Sequence, residues 1–114
     1  METILKIKAT GDYEFVEVEP DEDGGVGLKT LQDGVGGWIE RAPTLNKRLA
    51  GIDVFINEEG KLIGLRGYDT ATRLTEIWRA EDYICGDAVL CGHDAEGRSI
   101  GLTPAQVKTL REML

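Results

Sequence analysis

The chain has 114 residues, of which 41% are hydrophobic and 30% charged, and its formal net charge is −8. This length and composition predict one globular domain, residues 1–114, and the acidity excludes binding to a nucleic-acid backbone, which needs clustered lysine and arginine. No basic leader opens the sequence and no apolar run approaches the roughly 18 residues that cross a membrane, so we expect neither secretion nor membrane insertion.

The first residues alternate between polar and apolar side chains, which is typical of strands. Residues 3–9 predict a half-buried strand, and residues 13–19 predict a second strand that returns antiparallel to it after a turn. Because Phe15 has the opposite parity to Val16, we expect either a bulge or contacts on both faces of the second strand.

A glycine-rich stretch, residues 24–40, predicts a short helix, a glycine stop and a strand over 38–42. Asp23 is the candidate N-cap of this helix. The run superficially resembles a phosphate-binding loop, but Leu28 separates the last glycine from Lys29 and breaks the required pattern. We therefore expect the glycines to allow close packing of the helix on the sheet. The predicted apolar face of the helix consists of Leu28, Leu31 and Val35.

The second half of the chain predicts a hairpin, a helical segment, two further strands and a final helix. The predicted segments are strands 52–56 and 61–65 around the loop 57–60, a short helix within 66–80, strands 84–91 and 98–101 around the turn 94–97, and a helix from 104 onward. Asp69 or Thr70 could cap the middle helix. Thr103, Pro104 and Gln106 form a capping box with proline at the first helical position.

The strands pair as hairpins and the helices are few, so the sequence predicts an α+β fold rather than a doubly wound parallel one. We expect a mainly antiparallel sheet with two or three short helices packed on one of its faces.

The sequence shows no pattern of catalytic or metal-binding residues. Cys85 and Cys91 lack the surroundings of a catalytic thiol and fit small buried strand residues in a reducing cytosol. His93 is the only histidine and is expected in a solvated turn, and Ser99 lies in no nucleophile motif. We therefore expect a protein that is not an enzyme and holds neither a metal nor a cofactor.

One segment of this acidic chain concentrates arginine and aromatic residues. Arginine offers a planar fork for phosphate or carboxylate, and an aromatic face can stack on a base. Such a group is typical of a small nucleotide or anion site, or of a protein hot spot. Alternatively, the tryptophans belong to the core and the arginines pair with neighbouring acids. The candidate ligand-binding residues are Trp38, Arg66, Tyr68, Arg73, Trp78 and Arg79.

Several segments in this order resemble the domain of unknown function 3846 family, small acidic proteins of bacteriophages and bacterial mobile elements. The segments are Val35–Glu40, Asn57–Leu65, Ile84–Gly92 and Gly101–Thr103. After Leu65 the family pattern leads us to expect a proline and an asparagine, whereas the chain has Arg66, Gly67 and Tyr68. The resemblance implies an accessory viral protein acting in the bacterial cytoplasm and gives no catalytic residue.

Two functions follow as hypotheses. The first is a non-enzymatic binding protein of counter-defence type that sequesters a host protein or a small nucleotide signal through the arginine-rich segment. The second is an acidic structural or regulatory protein that binds a basic partner through the carboxylates of residues 17–23. Under the first hypothesis the protein could also self-associate into a homo-oligomer, since small sheet domains often pair through an edge or a helix face.

Overall fold

The computed structural model describes residues 1–61 and 69–114. Its strands are β1 (Glu2–Ile7), β2 (Tyr13–Val18), β3 (Ile39–Ala42), β4 (Ile52–Asn57), β5 (Ala88–His93) and β6 (Ser99–Ile100). Its α-helices are α1 (Leu28–Val35), α2 (Asp69–Thr75) and α3 (Pro104–Met113). Two short 3₁₀ turns occupy Lys47–Leu49 and Ile77–Ala80.

The strands form one antiparallel sheet in the order β2-β1-β5-β4-β3, with β6 paired to the far end of β5. The predicted α+β fold with a mainly antiparallel sheet is therefore confirmed. β5 lies at the centre, and both of its edges are paired, with β4 on one side and β1 and β6 on the other. The predicted partner strand 61–65 lies outside the described residues except for Lys61, which is in a turn.

Helices cover both faces of the sheet, so the expectation of a single covered face is wrong. The two faces are named here by the helix that packs on each. On the α1 face, α1 packs against buried residues such as Val89 and Phe55. On the α3 face, α2 and α3 pack against residues of the opposite parity, such as Leu90 and Val54. The central strands are buried on both sides, because their alternate residues meet different helices.

β2 shows why a sheet covered on both faces was hard to predict. It pairs with β1 in regular register from Tyr13 to Val18, with no bulge among these pairs. Phe15 packs toward the α3 face and Val16 toward the α1 face. Of the two alternatives left open by the sequence, contacts on both faces is the one that the structure supports.

α1 begins later than its sequence predicts. Its N-cap is Gly27, which has no side chain to accept a hydrogen bond, so the expectation that Asp23 caps the helix is wrong. Leu28 is 57% exposed and does not join Leu31 in the core. The helix ends at Val35, and its C-cap Gly36 has a φ of 76°, a left-handed conformation that glycine adopts without strain.

The predicted helix within 66–80 is interrupted. α2 ends at Thr75, Glu76 adopts a left-handed conformation with φ of 59°, and a 3₁₀ turn follows. Leu74 and Ile77 are buried as their helical spacing predicted, but the break rotates Trp78 out of the pattern and leaves it exposed. Thr70 lies inside α2, and its hydroxyl donates a hydrogen bond to the carbonyl of Gly11.

The predicted strand 84–91 is displaced toward the C-terminus, because Gly86, with φ of 88°, breaks the chain before β5 begins at Ala88. The final helix is confirmed in detail. The Thr103 hydroxyl accepts from the backbone N–H of Gln106, whose side chain accepts from the backbone N–H of Thr103. Leu110 anchors α3 to the sheet and is fully buried.

Candidate functional site

The structure describes four of the six residues predicted to bind a ligand, and Arg66 and Tyr68 lie outside the described residues. Arg73 projects from α2 at the rim of a groove on the α3 face, named here the α2 groove. No hydrogen bond, ion pair or ring contact joins Trp38 to the other three described candidates. Of the four described candidates, only Arg73 lines this groove.

The α2 groove has a volume of about 420 Å³ and opens between the β1–β2 turn, the segment before β4, α2 and the end of α3. This volume lies within the range of small-molecule sites. The lining combines an apolar floor with polar side chains. Apart from Arg73, the principal lining residues are Tyr13, Asn46, Arg48, Leu74, Glu76 and Met113.

Hydrogen bonds between distant parts of the chain fix the groove walls. The Asn46 side-chain amide donates to the carbonyl of Leu74 at 2.8 Å, and its amide oxygen accepts from the backbone N–H of Arg48. The hydroxyl of Thr70 donates to the carbonyl of Gly11 at 3.3 Å. These bonds connect α2 to the 3₁₀ turn Lys47–Leu49 and to the β1–β2 turn, so the groove is largely pre-formed.

The charges around the α2 groove are unequally paired. Arg48 contacts Glu112 at 3.2 Å, and Arg79 contacts Glu76 at 3.0 Å. Arg73 is exposed and has no ion-pair partner among the described residues. Because an unpaired guanidinium keeps all its donors available, Arg73 is the group at this rim best placed to bind an anion.

The two tryptophans are surface residues, which overturns the alternative that they belong to the core. Trp38 is 66% exposed at the start of β3, and Trp78 is 56% exposed in its 3₁₀ turn. Neither lines the α2 groove. The pairing of Arg79 with Glu76, by contrast, agrees with that alternative.

A polar cluster on the α1 face was missed in the sequence. Asp53 is buried, its carboxylate lies 3.2 Å from Nδ1 of His93, and Arg41 contacts it at 3.6 Å. His93 is thus the last residue of β5, whereas its sequence context predicted a solvated turn. The apolar Phe55, two residues after Asp53, was the signal that this second face of β4 is also covered.

Cys91 lies directly opposite Asp53 in the sheet, but it is not placed to act as a nucleophile. Its side chain is fully buried, and burial raises the pKa of the thiol to about 12, although a hydrogen bond with Ser99 acts in the opposite direction. A thiol with this pKa stays protonated near neutral pH, and only the thiolate is a nucleophile. Both cysteines are free and buried.

The described residues include no group of three or more histidine, cysteine, aspartate or glutamate side chains that could hold a metal ion. Among the same residues, no helix has the length and apolar character needed to cross a membrane.

The fold and the α2 groove define a small α+β domain with a cationic rim to a pre-formed surface groove. The chain belongs to the family described as Domain of unknown function (DUF3846), whose model matches residues 1–114. Neither a curated protein nor a solved structure matches the chain.

Proposed function

We propose that this protein is a non-catalytic binding protein whose α2 groove takes a small anionic ligand of the nucleotide type. The observation that supports this most directly is Arg73, an exposed arginine without an ion-pair partner among the described residues, at the rim of a groove of about 420 Å³. Its guanidinium would bind phosphate oxygens, and the exposed ring of Tyr13 would offer a surface for stacking.

The chemistry of the polar residues supports binding without turnover. The thiol of Cys91 is buried and protonated, and the imidazole of His93 is engaged with Asp53 on the opposite face of the sheet from the groove. A general base must lie within hydrogen-bond reach of a substrate proton. The sole histidine does not line this groove, and Glu76, which does, is paired with Arg79.

The proposed role of binding is sequestration. A protein that holds a nucleotide signal without transforming it lowers the free concentration of that signal in proportion to its own abundance. In a bacterial cytoplasm, which the family resemblance implies as the setting, this is a counter-defence function. Self-association of the protein stays a prediction.

Calorimetric titration of the purified protein with AMP, cyclic AMP and inorganic phosphate tests the proposal. We expect binding of at least one nucleotide, and weakening by about tenfold or more in Arg73→Ala, because a hydrogen bond to a charged group contributes about 1.5–3 kcal/mol. Arg73→Lys should bind with intermediate affinity, since it keeps the charge but loses the planar fork.

Lys47→Ala is the matched control. Lys47 is also an exposed cation close in sequence to the groove, but it does not line the groove, and its removal leaves no carboxylate of the described lining unpaired. We expect this variant to bind like the wild type. Equal losses in the Arg73 and Lys47 variants, or no binding of any of the three probes, would contradict the proposal.

A further inference from the structure

A second groove lies on the α1 face, on the other side of the sheet from the α2 groove. It has a volume of about 320 Å³ and opens between the loop before α1, α1 itself, the strands β3 and β4, and β6 with the turn before it. We name it the α1 groove. Its apolar lining residues are Val26, Leu28, Leu31, Ile39, Phe55 and Ile100.

The loop that forms one wall of the α1 groove is held in place by backbone contacts. Oδ1 of Asp21 accepts from the backbone N–H of Gly25 at 2.8 Å, and the backbone N–H of Val26 donates to the carbonyl of Ser99 at 2.9 Å. A Cβ atom at Gly25 would lie 2.3 Å from that same carbonyl oxygen, so only glycine permits this approach. The wall is therefore pre-formed, which lowers the entropic cost of binding.

Leu28 is an apolar side chain that the fold leaves uncovered at this groove. It occupies the first position of α1 and is 57% exposed, although its helical neighbour Leu31 is buried beneath it. Leu28 belongs to the same lining as the apolar residues of the groove, and contiguous apolar surface with a polar rim is typical of a binding site.

The rim of the α1 groove is acidic. Asp21, Asp23 and Asp94 all line it, and the only cation among its described lining residues is Arg98. Arg98 is already held by Asp94 at 2.9 Å, which leaves Asp21 and Asp23 without an ion-pair partner among the described residues. The rim therefore offers unpaired negative charge next to an apolar floor.

We propose that the α1 groove docks a peptide segment of a partner protein, in which an apolar side chain is flanked by lysine or arginine. The apolar side chain would cover Leu28 and Phe55, and the flanking cations would reach Asp21 and Asp23. Charge favours this occupant over a second copy of the chain, because two molecules of net charge −8 repel each other at an acidic rim. The site is separate from the α2 groove, and neither proposal depends on the other.

Fluorescence anisotropy with three labelled octapeptides tests the proposal. The first peptide has two central leucines flanked by three lysines on each side, the second replaces the leucines with serine, and the third replaces the lysines with glutamate. We expect the first peptide to bind about tenfold or more tightly than either of the others, because it alone satisfies both the apolar floor and the acidic rim.

Two variants with matched controls locate the binding in the groove. Leu28→Ser should weaken binding of the first peptide by about tenfold, whereas Leu45→Ser should leave it unchanged, because Leu45 is also exposed but lies outside the groove. Asp23→Asn should weaken binding by about threefold at low salt, whereas Glu22→Gln, an adjacent exposed acid outside the lining, should not.

Three results would overturn the proposal. One is equal binding of the leucine and serine peptides, which would indicate non-specific attraction between opposite charges. Another is an equal effect of the Leu28 and Leu45 variants. The third is a dimer in sedimentation velocity that dissociates in Leu28→Ser, which would show that a second copy of the chain occupies the groove. The Arg73→Ala variant should bind the first peptide normally, which separates this test from that of the α2 groove.

Discussion

α1 and α3 pack on opposite faces of the same sheet, and their positions are specified in different ways. The N-cap of α3 is Thr103, which makes both hydrogen bonds of a capping box, and proline occupies the first helical position. The residues that specify the start of α3 are therefore four consecutive ones. α1 begins at Gly27 with no side-chain cap, and its bounds depend on contacts with residues far away in the chain.

The glycines of α1 show what those contacts are. Gly34 lies inside the helix, where glycine is unfavourable by about 1 kcal/mol relative to alanine. A Cβ atom at this position would lie 2.4 Å from a methyl group of Val89 on β5. The helix therefore gives up local stability in order to approach the sheet closely. The start of a helix with a local capping signal can be recognised from sequence, whereas the start of one positioned by distant contacts cannot.

The largest effect is expected at the anchor of α3. Leu110→Ala removes a fully buried side chain and should lower the free energy of unfolding by about 2–5 kcal/mol. Urea denaturation followed by circular dichroism measures this value. Lys108→Ala, an exposed position on the same helix, should change it by less than about 0.5 kcal/mol. Similar values for both variants would mean that α3 is held by its local signals alone.

An intermediate effect is expected at the close approach of α1. Gly34→Ala should destabilise the protein by about 1–3 kcal/mol through overpacking against Val89, although alanine is the better helix former. In a Val89→Ala background the same change should become neutral or stabilising, because the methyl group in conflict is gone. A stabilising effect of Gly34→Ala in the wild-type background would show that α1 does not need this glycine for packing.

The smallest effects are expected at the two helix starts. Thr103→Ala should cost about 1 kcal/mol, since it removes the hydroxyl that accepts from Gln106. Gly27→Ser should instead stabilise the protein by a few tenths of a kcal/mol, because Gly27 has φ of −74° and ψ of 156°, which serine adopts easily, and serine supplies the missing cap. Thermal unfolding of both variants checks the opposite signs. A loss of stability in Gly27→Ser would indicate that the loop before α1 tolerates no side chain there.

The candidate sites show the same division. Composition placed Arg73 in a possible anion site, but the neighbours that make the α2 groove, such as Asn46 and Met113, come from distant parts of the chain. The exposure of Trp78 could not be predicted from apolar spacing, because Glu76 breaks the helical period. The exposure of Trp38 could not be predicted either, because β3 begins only at Ile39. The polar surroundings of Asp53 likewise come from neighbouring strands, because Arg41 lies on β3 and His93 on β5.

The sequence by itself determined the β1–β2 hairpin, the α+β class and the start of α3, because each depends on alternation or capping among residues close in the chain. It also determined the family, whose model matches residues 1–114. The tertiary structure alone decided that helices cover both faces, that α1 begins at Leu28, and that two grooves of different charge open on opposite sides. These features are set by steric and electrostatic contacts between residues remote in sequence, which no local pattern records.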